Sequence, residues 1–492
     1  AGAAAAREPE GRMSRHAFRD LPRAAAAAAL ILAASALAAQ EAGPALALSL
    51  EDAVLTALER NASLRVQRLA PQVRATSVEE ELGNLDPVLS AGAGQVLAGS
   101  PPGPSSGSGV EAGLSLSFPT GTSLDVSASA GWGSAWSSGF DLQATQSLLA
   151  GGRLAANRAR VEQARLDLFS SRHELGAVAA SVVAQVESAY WNHYLALRQR
   201  DITRESLGLA ERQLEEARAR MQVGRIAGSE LAAPRAEVTS RREALRAAER
   251  RVQSTRQLLL VLVNPGGAGL DAAVRLLDAP VPPKGPLDGP DAHVAVSLRQ
   301  RPDLAQARLA LERGDLEVVR TRAGLLPRLD LFIRLGGMGY AATLGGALAG
   351  TVEDPYASAG LSFQLPLGNR AAEARAGRAE LNRAQAAEAL AALERSVEAD
   401  VRGAWRDAEF AAAGIAAIAE LRALQEEKLA AEVEKFRNGT STSYLVAQAQ
   451  RDLLASQLAE AQAAVDSLLA MVTLYRLEGS LLERRGIDVG QP

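Results

Sequence analysis

Two uninterrupted stretches of helix-forming sequence constrain this chain more than any other feature. One opens after Gly151-Gly152 and runs to Val223-Gly224, and the other opens after Leu367-Gly368-Asn369 and runs to Asn438-Gly439. Each covers about 72 residues, and at about 1.5 Å of rise per residue each helix extends about 100 Å. Few soluble domains need such a rod. A short stretch of alternating apolar and polar residues precedes each one, and behind each a second helical segment returns after a glycine-containing turn. The repeating unit is therefore strands plus a very long helical hairpin.

Heptad spacing predicts how the arms of each hairpin pack. Leu207, Ala210, Leu214, Ala217 and Met221 step by three and four on one arm, as do Leu245, Ala248, Val252, Thr255, Leu259 and Leu262 on the returning one. The same steps run through Val401, Ala404, Ala408, Ala411, Ile415 and Ile418, and through Leu458, Ala461, Val465, Leu468, Val472 and Tyr475. A sustained 3.5-residue repeat predicts left-handed supercoiling of paired helices, with these residues serving as core.

The two halves can be set in register. Arg60-Asn61-Ala62-Ser63-Leu64 precedes Gln300-Arg301-Pro302-Asp303-Leu304 by about 240 residues, and the offset falls to about 216 by Gly152 and Gly368. The drop falls between Gly99 and Ala130, where the first half carries a Pro/Gly/Ser loop and a hairpin around Phe118-Pro119-Thr120-Gly121-Thr122. The expected organisation is an upstream extension and signal peptide over residues 1–38, a first repeat over 39–279, a proline-rich linker over 280–290, a second repeat over 291–478 and a tail over 479–492. The additional hairpin, residues 110–130, has three possible places: extending the sheet outward, folding over its mouth, or adding strands to its wall.

After Met13 come Arg15, Arg19 and Arg23, an Ala/Leu/Ile run over residues 24–34, and the small-x-small triplet Ala36-Leu37-Ala38. That order predicts a signal peptide cleaved after Ala38, and its apolar run is shorter than the roughly 20 residues of a spanning helix. The chain has no cysteine, which excludes disulfides, thiolate metal sites, a cysteine nucleophile and a lipidated N-terminal cysteine. A net charge of -4, with Lys and Arg spread through the helices, argues against a nucleic-acid partner.

Short segments carry period-two alternation: Phe140, Leu142 and Ala144 against Asp141, Gln143 and Thr145; Leu329, Leu331, Ile333 and Leu335 against Asp330, Phe332 and Arg334; Leu361, Phe363 and Leu365 against Ser362 and Gln364; and, more loosely, residues 88–96. Such segments suit either a half-buried soluble sheet or a membrane barrel wall. An exported chain without a spanning helix crosses a membrane only as a closed barrel. Two main strands per half give four per chain, too few to close, so three copies sharing a twelve-stranded barrel are expected, with the hairpins continuing the pore as a periplasmic tube.

The mature chain resembles the TolC-like outer-membrane efflux proteins. The resemblance is carried by Leu50-Glu51-Asp52-Ala53-Val54 through Asn61, Leu325-Leu326-Pro327-Arg328-Leu329, Thr145-Gln146-Ser147-Leu148-Leu149 ahead of Gly151-Gly152, and two hairpin tips. The tips read Met221-Gln222-Val223-Gly224-Arg225-Ile226 and Phe436-Arg437-Asn438-Gly439-Thr440-Ser441. The resemblance implies an α+β membrane protein, a homotrimeric channel-tunnel in the outer membrane, passive in itself. Its tips would meet a periplasmic adaptor protein, and an inner-membrane pump of the RND or ABC type would supply the energy, for efflux or for type I secretion. Val223, Gly224, Arg225, Ile226, Asn438, Gly439, Thr440 and Ser441 are the expected docking turns. Gly224 and Gly439 are suited to the left-handed backbone that ends a helix, and Ser229 or Ser441 to capping the next one.

In such proteins carboxylates commonly line the periplasmic mouth. Here Tyr444, Leu445 and Gln448 follow Gly439, with no acid until Asp452. Glu230 matches an acidic position often seen in the link between hairpins, but Phe436 has no hydroxyl to answer it. The expected aperture is steric and amide-lined, with weak block by multivalent cations. No cofactor or metal site is expected: there is no phosphate loop or zinc-protease motif, and the four histidines are scattered. The competing interpretation is a soluble periplasmic coiled-coil adaptor or scaffold, which would share the hairpins but has no need of strands with one lipophilic face.

Overall fold

The computed structural model describes residues 46–98, 105–224, 226–266, 269–282 and 285–488. The expected signal peptide and its cleavage point at Ala38 lie outside them, as does Arg225 of the first tip. In chain order the elements are β1 (Leu46–Leu48), α1 (Leu50–Arg60), α2 (Ala62–Gln67), α3 (Ala70–Gly83), β2 (Val88–Ala98), β3 (Ser105–Ser117), β4 (Thr122–Trp132), β5 (Trp136–Ser147) and α4 (Leu154–Gln222). A 3-10 turn (Gly228–Leu231) leads into α5 (Ala232–Val263), followed by β6 (Val274–Leu276), α6 (Pro290–Gln300), α7 (Pro302–Ala323), β7 (Arg328–Ala341), α8 (Leu344–Glu353) and β8 (Pro355–Gln364). The chain ends with α9 (Arg370–Arg437), α10 (Ser443–Glu478) and α11 (Leu481–Arg484).

The rods are present: α4 has 69 residues and α9 has 68, each about 100 Å long. Their returning arms, α5 and α10, have 32 and 36 residues and cover only the tipward half of each rod. The other half is covered by α3 and α7, which lead into the sheet. The heptad expectation holds for the rods but only in part for the returning arms. Leu207, Ala210 and Leu214 meet Val238 in one hairpin, and Val401, Ala404 and Ala408 join Met471 and Leu474 in the other, while the expected steps Ala461, Val465, Leu468 and Val472 of α10 instead join residues of α4, among them Val182, Val183 and Val186.

The sheet departs from expectation. It has six strands, all antiparallel, in the order β2-β3-β4-β5-β7-β8. The two main strands expected in the first half are four, because the hairpin of residues 110–130 forms the ends of two full-length strands, β3 and β4, that pair between β2 and β5. Their alternation is faint because serine, glycine and alanine fill many of their positions. Three copies would accordingly bring eighteen strands rather than twelve. Two copies already reach twelve, so strand number alone does not select three.

A junction core sits where α1, α4, α5, α10 and the chain end converge. Tyr190, fully buried, donates to the Leu48 carbonyl oxygen at 3.2 Å and accepts from the Asp278 amide at 3.1 Å. Burial is the chief cause pushing its phenol up to about 12. The short parallel pair β1-β6 and the Leu50 amide, which donates to the Asp278 carboxylate at 2.6 Å, fasten the start of the described chain to the end of the first hairpin. Nearby, the fully buried Glu187 accepts two bonds of 2.7 Å from Arg485.

His193 occupies the same core. Its Nδ1 lies 2.9 Å from the Thr255 hydroxyl, and burial, followed by the charges of Arg256 and Arg200, pulls its pKa down from 6.5 to about 4. The unfolded chain takes up this proton near 6.5 and the folded chain only near 4. Stability is therefore unaffected above about pH 7 and falls as pH drops from 6.5 through 4, by about 3 kcal/mol. A His193→Gln chain is expected to lose this slope, as read from urea midpoints of detergent-solubilised protein across that range; an unchanged slope would assign the acid sensitivity elsewhere.

Candidate functional site

The sheet sorts its side chains by chemistry. In one row Leu89, Leu114, Val126, Leu142, Leu335 and Ala357 stand directly opposite one another across all six strands. Directly paired residues share a face, and faces alternate along a strand, so Ala91, Leu116, Leu124, Phe140, Ala144, Leu331, Ile333, Leu361 and Phe363 join that face. One residue along lies the opposite row, Ser90, Gly113, Ser127, Asp141, Gly336 and Tyr356, and a further row holds Ser115, Asp125, Gln143, Arg334 and Ser358. All the charged residues in the strand interiors, including Glu111, lie on this second face. Ile333, Leu335, Leu361 and Phe363 are 45–64% exposed, so among the described residues this part of the apolar face is left largely uncovered.

The dimensions suit a bilayer. Eleven residues of β4 extend about 36 Å, and a strand tilted about 40° spans about 27 Å, close to the roughly 25 Å apolar band of outer-membrane barrels. Aromatic rings mark both ends of the apolar face. Trp132 and Trp136 stack at 5.7 Å between centroids at one end, and Phe118 and Phe363 stand at the other, where the helices begin. Among the described residues no helix is long and apolar enough to cross a membrane.

The polar face carries cross-strand bonds that hold its charges in place. Arg334 donates to Asp141 at 2.6 Å and the Tyr356 hydroxyl donates to the same carboxylate at 2.5 Å, while Ser147 and Arg328 both reach Asp330. Most other positions are serine or glycine. A surface of small hydroxyl groups and paired charges supports a water column and offers no deep binding pocket.

At the far end of the rods the structure places the expected turns at two separate tips. Gly224 and Gly439 adopt positive φ, 72° and 77°, and a Cβ built on either meets nothing within 4 Å. Both turns face solvent, with Val223 70% exposed and Asn438, Gly439 and Thr440 exposed beside it, while Ile226 and Ser441 are half-buried. Ser441 does not cap the following helix. Thr442 does, accepting from the Leu445 amide at 3.4 Å, and Ser441 instead hydrogen-bonds Glu432, which with Lys435 holds that carboxyl below its usual range. Ser229 lies inside the 3-10 turn, and α5 has no side-chain N-cap. These expectations failed because the turns are one residue longer, or wound tighter, than serine spacing suggests.

Tyr444, Gln448 and Asp452 follow at steps of four along one face of α10, with Leu445 beside Tyr444. Tyr444 is 66% exposed. The acid is engaged: Lys428 of α9 donates to Asp452 at 2.7 Å. Glu230 stands exposed and apart from Phe436. Phe436 has found a different partner, the guanidinium of Arg220, which sits 4.6 Å from its ring centroid and ties the end of α4 to the end of α9. A second tie runs from Arg451 to Glu237, 3.5 Å apart, where Glu237 also receives Arg241 at 2.7 Å. Neither cross-hairpin pair is visible in a single sequence, since the partners lie more than 200 residues apart. Gly224→Ala and Gly439→Ala are each expected to strain their tip by about 1 kcal/mol, seen as faster amide exchange in the turn with unchanged exchange in the junction core.

Comparison with known proteins bears on the whole arrangement. Residues 294–480 match the family model described as outer membrane efflux protein. The chain is 26% identical over 341 residues to the outer membrane efflux protein BepC of Brucella suis, covering 68% of this chain and 71% of that one. It is also 26% identical over 340 residues to the pyoverdine export outer membrane protein OpmQ of Pseudomonas aeruginosa, covering 67% of each. In fold it is similar to a membrane protein from Pseudomonas aeruginosa, with a TM-score of 0.70 at 20% identity over 87% of this chain and 93% of that one. It is likewise similar to the Campylobacter jejuni CmeC outer membrane channel, with a TM-score of 0.68 at 16% identity over 90% of both. The comparisons agree with the resemblance drawn from the sequence: residues 294–480 match the outer membrane efflux protein model, about two thirds of the chain is similar to an outer membrane efflux protein and an export outer membrane protein, and the described chain carries the fold of outer membrane channels.

Proposed function

We propose that the chain is the outer-membrane channel of a tripartite efflux system, a passive conduit from a periplasmic helical tunnel to the exterior. The observation that carries this is the six-stranded sheet with one predominantly apolar and one predominantly polar face, its edge strands β2 and β8 unpaired among the described residues, and continuous with two rods of about 100 Å. A soluble adaptor or scaffold would have no use for an apolar face of that extent. The names of the two relatives, one an efflux protein and the other an exporter of pyoverdine, favour efflux over protein secretion.

Closure requires more than one copy, and three is the number that the TolC-like resemblance implies. Six strands tilted about 40° occupy about 37 Å of a barrel's circumference, and four helices packed about 9 Å apart occupy about 36 Å. Wall and tunnel match in girth at any copy number, so the extra strands let an eighteen-stranded barrel pass into a twelve-helix tunnel without a step. The repeats, residues 39–279 and 291–478, each contribute one hairpin to that tunnel. The segment through Ala38 exports the chain.

The tips dock a periplasmic adaptor, and an inner-membrane pump of the RND or ABC type drives transport through it. Because Asp452 is paired with Lys428 and Tyr444, Leu445 and Gln448 stand ahead of it, the mouth is closed by bulk and by the Arg220-Phe436 and Arg451-Glu237 ties.

The purified mature chain in planar bilayers is expected to form trimers that conduct ions, with less than a twofold drop on adding a trivalent cation; a water-soluble monomer without conductance would refute the proposal. Gly224→Trp or Gly439→Trp, which project into open space, are expected to leave trimers in the outer membrane and to abolish efflux in cells. Unimpaired efflux would remove the tips from the docking surface.

A further inference from the structure

One element has no role in wall or tunnel: α8, the helix between β7 and β8. Residues 335–352, which include it, carry no charge, and Arg334 and Glu353 bound them. After β7 reaches the outward rim, α8 turns back and descends along the sheet, lying over β7 and β5. It covers the apolar face. Gly337 and Gly339, which occupy that face between larger residues, lie against the Thr351 and Ala347 carbonyls of the helix, where any Cβ would collide. Gly350 makes a looser but still tight approach from the other side, a Cβ built on it falling 3.1 Å from the Gly339 Cα. Ser138, a hydroxyl on the predominantly apolar face, is hydrogen-bonded to Thr351, whose own hydroxyl donates to the Ala347 carbonyl at 3.1 Å. The sheet is thus carved to receive this helix, and the polar group left there is satisfied by it.

The helix's other side is apolar and uncovered. Leu344, Leu348 and Val352, spaced by four, are 38%, 52% and 80% exposed, and they continue the apolar surface of the wall at Phe140 and Leu335. With ten residues it descends about 15 Å, roughly half the apolar band. Its backbone bonds are internal, and Thr343 caps it by accepting from the Gly346 amide at 3.2 Å, as an element surrounded by hydrocarbon requires. It lies over β5 and β7, away from the seam where edge strands of adjoining copies meet.

We infer that α8 is a lipid-embedded helix clasped to the outside of the barrel, with the Leu344-Leu348-Val352 stripe facing acyl chains in the outward half of the bilayer. This rests on the outer-membrane channel reading and adds a partner to it: three such helices, one per copy, anchor the rim in the membrane. The extracellular end of β7 is in consequence held by packing in lipid instead of ending in a water-exposed loop.

The cysteine-free chain allows the test with single labels. Leu348→Cys and Val352→Cys carry a bimane fluorophore, with Leu361→Cys as a wall control and Ser358→Cys on the polar face, all reconstituted in phosphatidylcholine vesicles with or without doxyl-labelled lipid. Lipid quenching of at least twofold is expected at 348, 352 and 361, with iodide quenching confined to 358. Quenching at 361 without quenching at 348 and 352 would overturn the inference alone, whether water, a protein or a second copy covers the helix. Absence of lipid quenching at all three would overturn the inference together with the barrel.

Discussion

Hydrocarbon offers no hydrogen-bond partner to a backbone amide, and everything about this chain's sheet follows from that. Inside the sheet each strand satisfies its neighbours through long antiparallel registers, from Val88 opposite Ser115 to Arg328 opposite Gln364. The outer edges of β2 and β8 have no such partner among the described residues. Each open edge leaves amides that would cost several kcal/mol apiece in lipid, far more than one domain's stability can absorb. The sheet is in effect a fraction of a barrel, and the apolar face fixes which side of it meets the bilayer.

The rods answer a different constraint. A helix of 68 or 69 residues has far more side chain than one partner can bury, and here it is covered in relay by a returning arm near the tip and by a shorter helix near the sheet. The junction core, with Tyr190, His193 and the Glu187-Arg485 pair, lies where those coverings change over. Specific buried polar contacts are concentrated there, while the arms themselves rest on small heptad residues and exposed ion pairs of modest worth. Near the tips the two hairpins are joined to each other by Arg220 on Phe436 and by Arg451 near Glu237.

Legibility in the sequence tracked side-chain size. Leu142, Ala144, Leu331, Ile333 and Leu335 alternate with polar residues strongly enough to reveal β5 and β7, and Gly224 and Gly439 mark the tips, because left-handed backbone favours glycine. By contrast β3 and β4 hid behind serine and glycine, whose small side chains satisfy a lumen without announcing a pattern. Helix α8 was not among the expected elements, and the reason for its glycine at 350 is visible only once the backbone of β7 is set against it. The capping role passed from Ser441 to Thr442 through a shift of one residue that composition does not encode. The partners of Asp452 and Phe436 were not legible: Lys428 answers Asp452 from across the hairpin turn, and Arg220 reaches Phe436 from the other hairpin.

The account depends on β2 of one copy pairing with β8 of the next. Cysteines scanned along β2, each combined with one on β8, should form disulfides in the oxidised membrane-inserted protein only at in-register positions, giving a denaturing-gel ladder that ends at three chains. A ladder ending at two would contradict the trimer, and the absence of any intermolecular disulfide across the whole scan would contradict edge-to-edge closure itself.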